Sequence, residues 1–190
     1  MKCISCNTYS FSLICHDCQR KFFTYKTTKR VLHDNLIVYS FYPYSQIEDF
    51  IKTKHTYRGA KLYKLLANNS FKVFSKKFDF TDRVYAIPID DKVTSLYSHT
   101  AILARSLKSK IIVPRYNTLR AKNQVNYSAK TLEYRLKNPR NFHYSYKNDI
   151  DVILVDDVIT TGTTLSEAKA TLKKYNVNVL FALTLADARQ

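Results

Sequence analysis

The stretch Val152-Ile153-Leu154-Val155-Asp156-Asp157-Val158-Ile159-Thr160-Thr161-Gly162-Thr163-Thr164 constrains the fold of this chain more than any other. Four consecutive apolar residues describe a strand buried on both faces, because a strand with one face in water alternates apolar and polar positions. Such strands occur in parallel sheets with helices on both sides. Here the strand ends in two adjacent acids, and a hydroxyl-rich turn then opens a helix from Leu165 to Lys174. Ligands of parallel sheets bind where loop and helix meet beyond the carboxyl end of a strand. The turn from Thr160 to Thr164 offers backbone N–H groups, hydroxyls and the positive end of a helix dipole, all suited to one phosphate. Gly162 is one of only two glycines in 190 residues, and it stands where a backbone must approach a phosphate closely. Asp156 and Asp157 would repel that phosphate, so they suit a sugar diol or a nearby positive charge. A phosphorylated ribose meets both demands. An ordinary strand-turn-helix capped by Thr163 or Thr164 explains the threonines and leaves the paired acids and the scarce glycine without a role.

The rest of the chain reads as α/β, a parallel sheet flanked by helices. Strands are expected at Leu36–Phe41, Val84–Ile89, Lys110–Val113 and Val177–Leu185. Apolar residues at helical spacing from Ser45 to Asn69 predict two helices broken at Gly59, and a further amphipathic stretch runs from Leu96 to Leu107. Between Pro114 and Lys147 lies a polar, basic segment with one helix near Ser128 to Lys137, too long for a simple connection and therefore expected to act as a lid.

All four cysteines fall in the first 18 residues, as Cys3-x-x-Cys6 and Cys15-x-x-Cys18, with eight residues between the pairs. This spacing can present four thiolates tetrahedrally to zinc. Two disulfides are the alternative for a secreted chain, and free buried thiols would make the regular spacing accidental. The expected division is a zinc-ribbon module over residues 1–30, too short to bury its own core and folded by its metal, and an α/β domain over 31–190. Neither an apolar leader nor a run of about 18 apolar residues is visible, so the expectation is a cytoplasmic protein with no membrane span.

Thirty-one basic residues against 15 acidic ones give a net charge of +16, concentrated between residues 101 and 150, where 11 basic residues meet 2 acidic ones. Such an excess attracts an extended polyanion, either nucleic acid or a membrane surface. A biased Lys-rich and Asn-rich composition produces the same total.

The Val152–Thr164 pattern resembles the phosphoribosyl-pyrophosphate motif of type I phosphoribosyltransferases. The resemblance implies that Thr160, Thr161, Gly162, Thr163 and Thr164 hold the 5′-phosphate and that Asp156 and Asp157 hold the ribose hydroxyls, with Mg2+ accompanying the pyrophosphate. It also implies a pyrophosphate loop after Pro88, at Ile89 to Lys92. A zinc ribbon ahead of such a domain is similar to the ComF family of competence proteins, and Lys54 near Tyr57-Arg58-Gly59, Gln124 and Arg135-x-x-Asn138 recur in that family's order. Where relatives commonly have Arg-Gly-Phe-Asn, this chain has Leu96-Tyr97-Ser98-His99.

The ComF resemblance implies a protein of natural transformation that works on incoming single-stranded DNA beside a helicase-like partner. Basic residues including Arg115, Arg120, Lys122 and Arg135 are interleaved with Tyr116, Tyr127 and Tyr134, a mixture able to track a phosphate backbone and stack bases. The same residues could form a basic lid over a pyrophosphate. Two other functions stay open: a nucleobase phosphoribosyltransferase of salvage metabolism, and a zinc-ribbon nucleic-acid adaptor with a degenerate pocket. His33, His55, His99 and His143 have no partner at metal or triad spacing and are expected to be structural or superficial. No general base is evident, and whether transfer is catalysed stays open.

Overall fold

A computed structural model describes residues 1–54, 56–89, 97–123 and 132–190, apart from the side chains of Leu132, Arg135 and Leu136. The elements run α1 (His16–Phe22), β1 (Thr28–Val31), β2 (Ile37–Pro43), α2 (Tyr44–Lys52), α3 (Tyr57–Asn69), α4 (Phe71–Lys77), β3 (Val84–Pro88) and α5 (His99–Ser106). They continue with β4 (Ile112–Pro114), β5 (Leu119–Ala121), α6 (Leu132–Lys137), β6 (Phe142–Tyr144), β7 (Asp151–Ile159), α7 (Thr163–Lys173) and β8 (Asn178–Asp187).

Six strands form one sheet in the order β1-β2-β8-β7-β3-β4. Every pairing is parallel except that of the edge strand β1 with β2. The expected parallel sheet is therefore present, and its two faces are buried against different elements. On one face Ile153, Val155, Leu183 and Leu185 pack against α2 to α5, through Ile47, Leu62, Leu66, Phe71 and Leu103. On the other face Val152, Leu154 and Ala182 pack against Leu165, Ala168 and Leu172 of α7 and against Leu119, Phe142 and Tyr144. Full burial on both sides is the reason β7 is apolar without alternation.

The crossover after β3 runs through α5 on the first face, whereas the one after β7 runs through α7 on the second. The two connections leave neighbouring strands in opposite directions, and that divergence opens a crevice beyond the carboxyl ends of β3 and β7.

Several elements depart from the sequence expectation. Helix α2 ends at Lys52 and α3 begins at Tyr57, with Gly59 inside the first turn of α3. A Cβ there would come within 2.0 Å of the Thr53 carbonyl oxygen, so the glycine permits a close backbone approach and does not end a helix. The basic segment is anchored at both ends: β5 and β6 pair as an antiparallel ribbon whose Leu119, Phe142 and Tyr144 are buried, with Arg120 and His143 opposite one another and exposed. The helix expected from Ser128 is described from Leu132 onward, and Gln124, Tyr127 and Lys130 lie outside the described residues.

The N-terminal cysteine segment shares the core of the first face. Cys3, Ile14, Cys18 and Phe23 belong to the same buried cluster as α2 and α3, and the Phe23 ring meets that of Phe50 edge-on at 5.5 Å. Among the described residues, no helix is long and apolar enough to cross a membrane.

The close approach at Gly59 makes a direct prediction. Gly59→Ala should lower the unfolding free energy by about 1–3 kcal/mol, the usual cost of overpacking, as read from urea denaturation.

Candidate phosphate and sugar site

The strand β7 extends beyond its apolar run, through both acids to Ile159. At the end of the strand Asp156 and Asp157 meet different neighbours. Asp156 joins Val158, Thr160, Thr161, Gly162 and Thr164 in lining a pocket at the start of α7. Asp157 faces α3 and α5 and is 7% exposed.

Each part of the pocket has a local cause. Gly162 caps α7 with φ 87°, in the left-handed region that favours glycine, and an added Cβ would come within 2.7 Å of Leu32. The Thr161 and Thr163 hydroxyls lie 2.9 Å apart, and Ser166 donates its amide to the Gly162 carbonyl at 3.0 Å, which starts the helix. The first turn of α7 holds no acid, so its positive end is left for an anion.

Asp157 anchors an ion cluster. Its Oδ2 accepts from Lys54 Nζ at 3.1 Å and from the Tyr63 hydroxyl at 3.3 Å, and lies 3.3 Å from His99 Nε2. Its Oδ1 accepts the Val158 amide at 2.8 Å. Burial works to raise the Asp157 pKa, but His99 and Lys54 outweigh it and hold the carboxyl below its usual range. Asp156 moves the other way, because burial and the neighbouring Asp157 charge both disfavour its ionised form.

Nothing near Lys54 in the sequence points to Asp157 as its partner, and His99, expected to be structural or superficial, sits in this cluster. Tyr63 and Arg30 also escaped the sequence reading. Arg30 Nη1 donates to the Thr160 carbonyl at 2.7 Å and to Asp187 at 3.1 Å, and Nη2 donates to the Thr161 carbonyl at 3.3 Å.

The basic residues read as nucleic-acid contacts separate. Arg115 is held between two rings, with its guanidinium 5.4 Å from the centroids of both Tyr85 and Tyr146 and its Nε donating to the Tyr146 hydroxyl at 2.8 Å. Arg120 and Lys122 are exposed on the ribbon side. The side chain of Arg135 lies outside the described residues, as do Asp90 to Lys92 of the expected pyrophosphate loop; Ile89 itself is buried.

The four cysteine sulfurs all lie within 4.8 Å of one another. The Cys15 amide donates to Cys3 Sγ at 3.2 Å and the Cys18 amide to Cys15 Sγ at 3.5 Å. Donation from Cys15 brings the Cys3 thiol down to about 6. At Cys18 a hydrogen bond from Ser5 is outweighed by burial and the three neighbouring sulfurs, which push it up to about 12. Thiols this close resist joint ionisation unless a cation shares them, so the set could hold a metal such as zinc.

Residues 115–190 match the Phosphoribosyl transferase domain family. That stretch carries β5 to β8 and the whole Thr160–Thr164 turn, and the match supports phosphoribosyl transfer or the binding of phosphoribosyl pyrophosphate. Among solved structures, the chain is similar to a hypoxanthine phosphoribosyltransferase from Staphylococcus aureus, at 15% identity and a TM-score of 0.42 over 66% of this chain and 62% of that one. It thus spans less than two thirds of the Staphylococcus enzyme. It is also similar to adenine phosphoribosyltransferase from Saccharomyces cerevisiae, at 16% identity and a TM-score of 0.44 over 85% and 83% of the two chains. For orotate phosphoribosyltransferase from Aeropyrum pernix the identity is 18% and the TM-score 0.37, over 90% and 80%. No curated protein matches the chain.

The Asp157 cluster predicts an acid dependence. A carboxyl with a depressed folded pKa contributes stability that is present above its unfolded pKa and is lost as pH falls through the folded value. Asp157→Asn should cost about 3 kcal/mol at neutral pH, the low end for a broken buried pair because the Lys54 side chain keeps 33% exposure. On acidification below the ordinary carboxylate range, wild type should lose stability faster than the variant, so the two urea midpoints converge.

Proposed function

We propose that this protein binds phosphoribosyl pyrophosphate with its 5′-phosphate in the Thr160–Thr164 turn and its ribose hydroxyls on Asp156. The observation that carries this reading is the pocket itself, in which one carboxyl side chain, three threonines and a left-handed glycine meet at the start of a helix whose first turn holds no acid. The phosphate takes the turn amides and the threonine hydroxyls; the sugar takes the carboxylate. Asp157, fixed by Lys54, Tyr63 and His99, places a further negative charge near the sugar, where an anion favours the cationic ring that forms as pyrophosphate leaves. Mg2+ accompanies the pyrophosphate and offsets its charge.

Cys3, Cys6, Cys15 and Cys18 hold one structural Zn2+, supported by their mutual closeness and by amide donation to two of the sulfurs. With a zinc ribbon at residues 1–30 and an α/β domain over 31–190, the reading that fits the whole chain is a ComF-like protein of natural transformation. It works in the cytoplasm on single-stranded DNA beside a helicase-like partner. Support for the DNA comes from the charge of +16 and from Arg120 and Lys122, which stand exposed at the ribbon. Arg115, packed between two tyrosines, is better suited to holding the edge of β3 and β4 than to meeting DNA. Arg135 stays in the proposed DNA set through its place in the basic segment.

Asp156→Ala should remove the thermal stabilisation conferred by phosphoribosyl pyrophosphate with Mg2+ and should abolish transformation, while the Asp157 cluster persists. Normal stabilisation and normal transformation in that variant would defeat the proposal. One zinc should co-purify per chain, and Cys3→Ser should lower that occupancy and the melting temperature together. Full zinc retention after substitution of two of the four cysteines would exclude a tetrathiolate site.

A further inference from the structure

The edge strand farthest along the sequence from the phosphate turn holds it at two points. On β1 the Arg30 guanidinium spans the Thr160 and Thr161 carbonyls, and its third bond goes to Asp187, which is 2% exposed at the end of β8. Just beyond, the Leu32 side chain lies where a Gly162 Cβ would fall. The same hairpin is tied to α7, because Lys169 donates to the Asp34 carbonyl at 2.6 Å.

A trans peptide carries its C=O and the following N–H in opposite directions. Turning the Thr160 and Thr161 carbonyls toward Arg30 therefore turns the Thr161 and Gly162 amides away from it. Those are two of the residues whose surfaces line the pocket, and Arg30 is not one of the lining residues. Parallel amides directed at one point repel each other, so a turn without such support gains by rotating its peptides and loses the cradle. A partly buried guanidinium paired with a buried carboxylate fixes the carbonyl side beforehand, and the ligand then meets amides already aimed.

The geometry points to Arg30 as a positioning residue for the phosphate cradle, setting peptide orientation from behind while Leu32 seats the glycine. This inference rests on reading the turn as a phosphate site, and it adds a determinant that no feature near the turn in the sequence discloses.

The test uses the full zinc-loaded chain and the probe ribose 5-phosphate, measured by calorimetry, with amide hydrogen exchange followed over residues 160–164. Wild type should bind. Arg30→Gln should bind roughly tenfold more weakly, the equivalent of losing about one charge-assisted hydrogen bond, with faster exchange in the turn and unchanged protection in β7 and β8. Arg30→Lys, which can serve one carbonyl at a time, should recover part of the affinity. Wild-type affinity in Arg30→Gln would overturn the assignment, and so would an exchange increase spread evenly through β7 and β8, since Arg30 would then serve the sheet as a whole. Should Arg30→Gln fail to fold, Arg30→Lys carries the comparison, because it keeps a cation beside Asp187 and gives up the two-pronged grip; undiminished binding there would equally overturn it. Failure of wild type to bind ribose 5-phosphate would instead defeat the phosphate reading, before any substitution is compared.

Discussion

Asp156 and Asp157 share a peptide bond and meet different neighbours at the carboxyl end of the sheet. The rest of the site is arranged around that division of partners. On the α7 side, Asp156 looks into a pocket whose other walls are threonines and a glycine. On the α5 side, Asp157 gathers a lysine, a tyrosine and a histidine from two separate helical regions. Had the strand ended at Val155, both acids would lie in a loop with no fixed sides, and neither arrangement would be specified. The two carboxyls are pushed in opposite directions, since at Asp157 the cations His99 and Lys54 outweigh burial, whereas at Asp156 burial and the Asp157 charge outweigh Arg140.

The location of the site is a consequence of topology. The α5 and α7 crossovers leave adjacent strands toward different faces, and a crevice between divergent connections is where α/β sheets receive ligands. The edge hairpin and the C-terminal residues of β8 then close in from behind, through Arg30, Leu32 and Asp187. Packing and chemistry meet at Gly162: its left-handed backbone opens helix α7, and its missing side chain leaves room for Leu32. The cysteine segment is built into the same body. Its Cys3, Ile14 and Phe23 extend the core over α2, so the segment shares the buried surface of the first face.

Much of this was legible in the sequence, for identifiable reasons. The unbroken apolar run before Asp156 required a strand covered on both faces, and two CxxC pairs required neighbouring thiols. Features that rest on contact between distant segments left no trace. Arg30 lies 130 residues from Thr160, and Lys54 lies 103 residues from Asp157, so neither pairing produces a local pattern. Strand β1, Thr-Lys-Arg-Val, is an edge strand of alternating exposure and offers no apolar run to notice. The strand β7 outruns its sequence signal, because the apolar run gives way to the two acids while the extended backbone continues to Ile159. Gly59 misled for a related reason, since a glycine that breaks a helix and one that admits a carbonyl look alike in sequence.

The most direct examination of the division between the two carboxyls is a crystal structure of the chain with phosphoribosyl pyrophosphate and Mg2+. The account predicts a phosphate against the amides of the turn, the ribose hydroxyls on Asp156, and Asp157 still bound to Lys54, Tyr63 and His99. An empty turn, or a ribose held by Asp157 after its cluster has come apart, would contradict it.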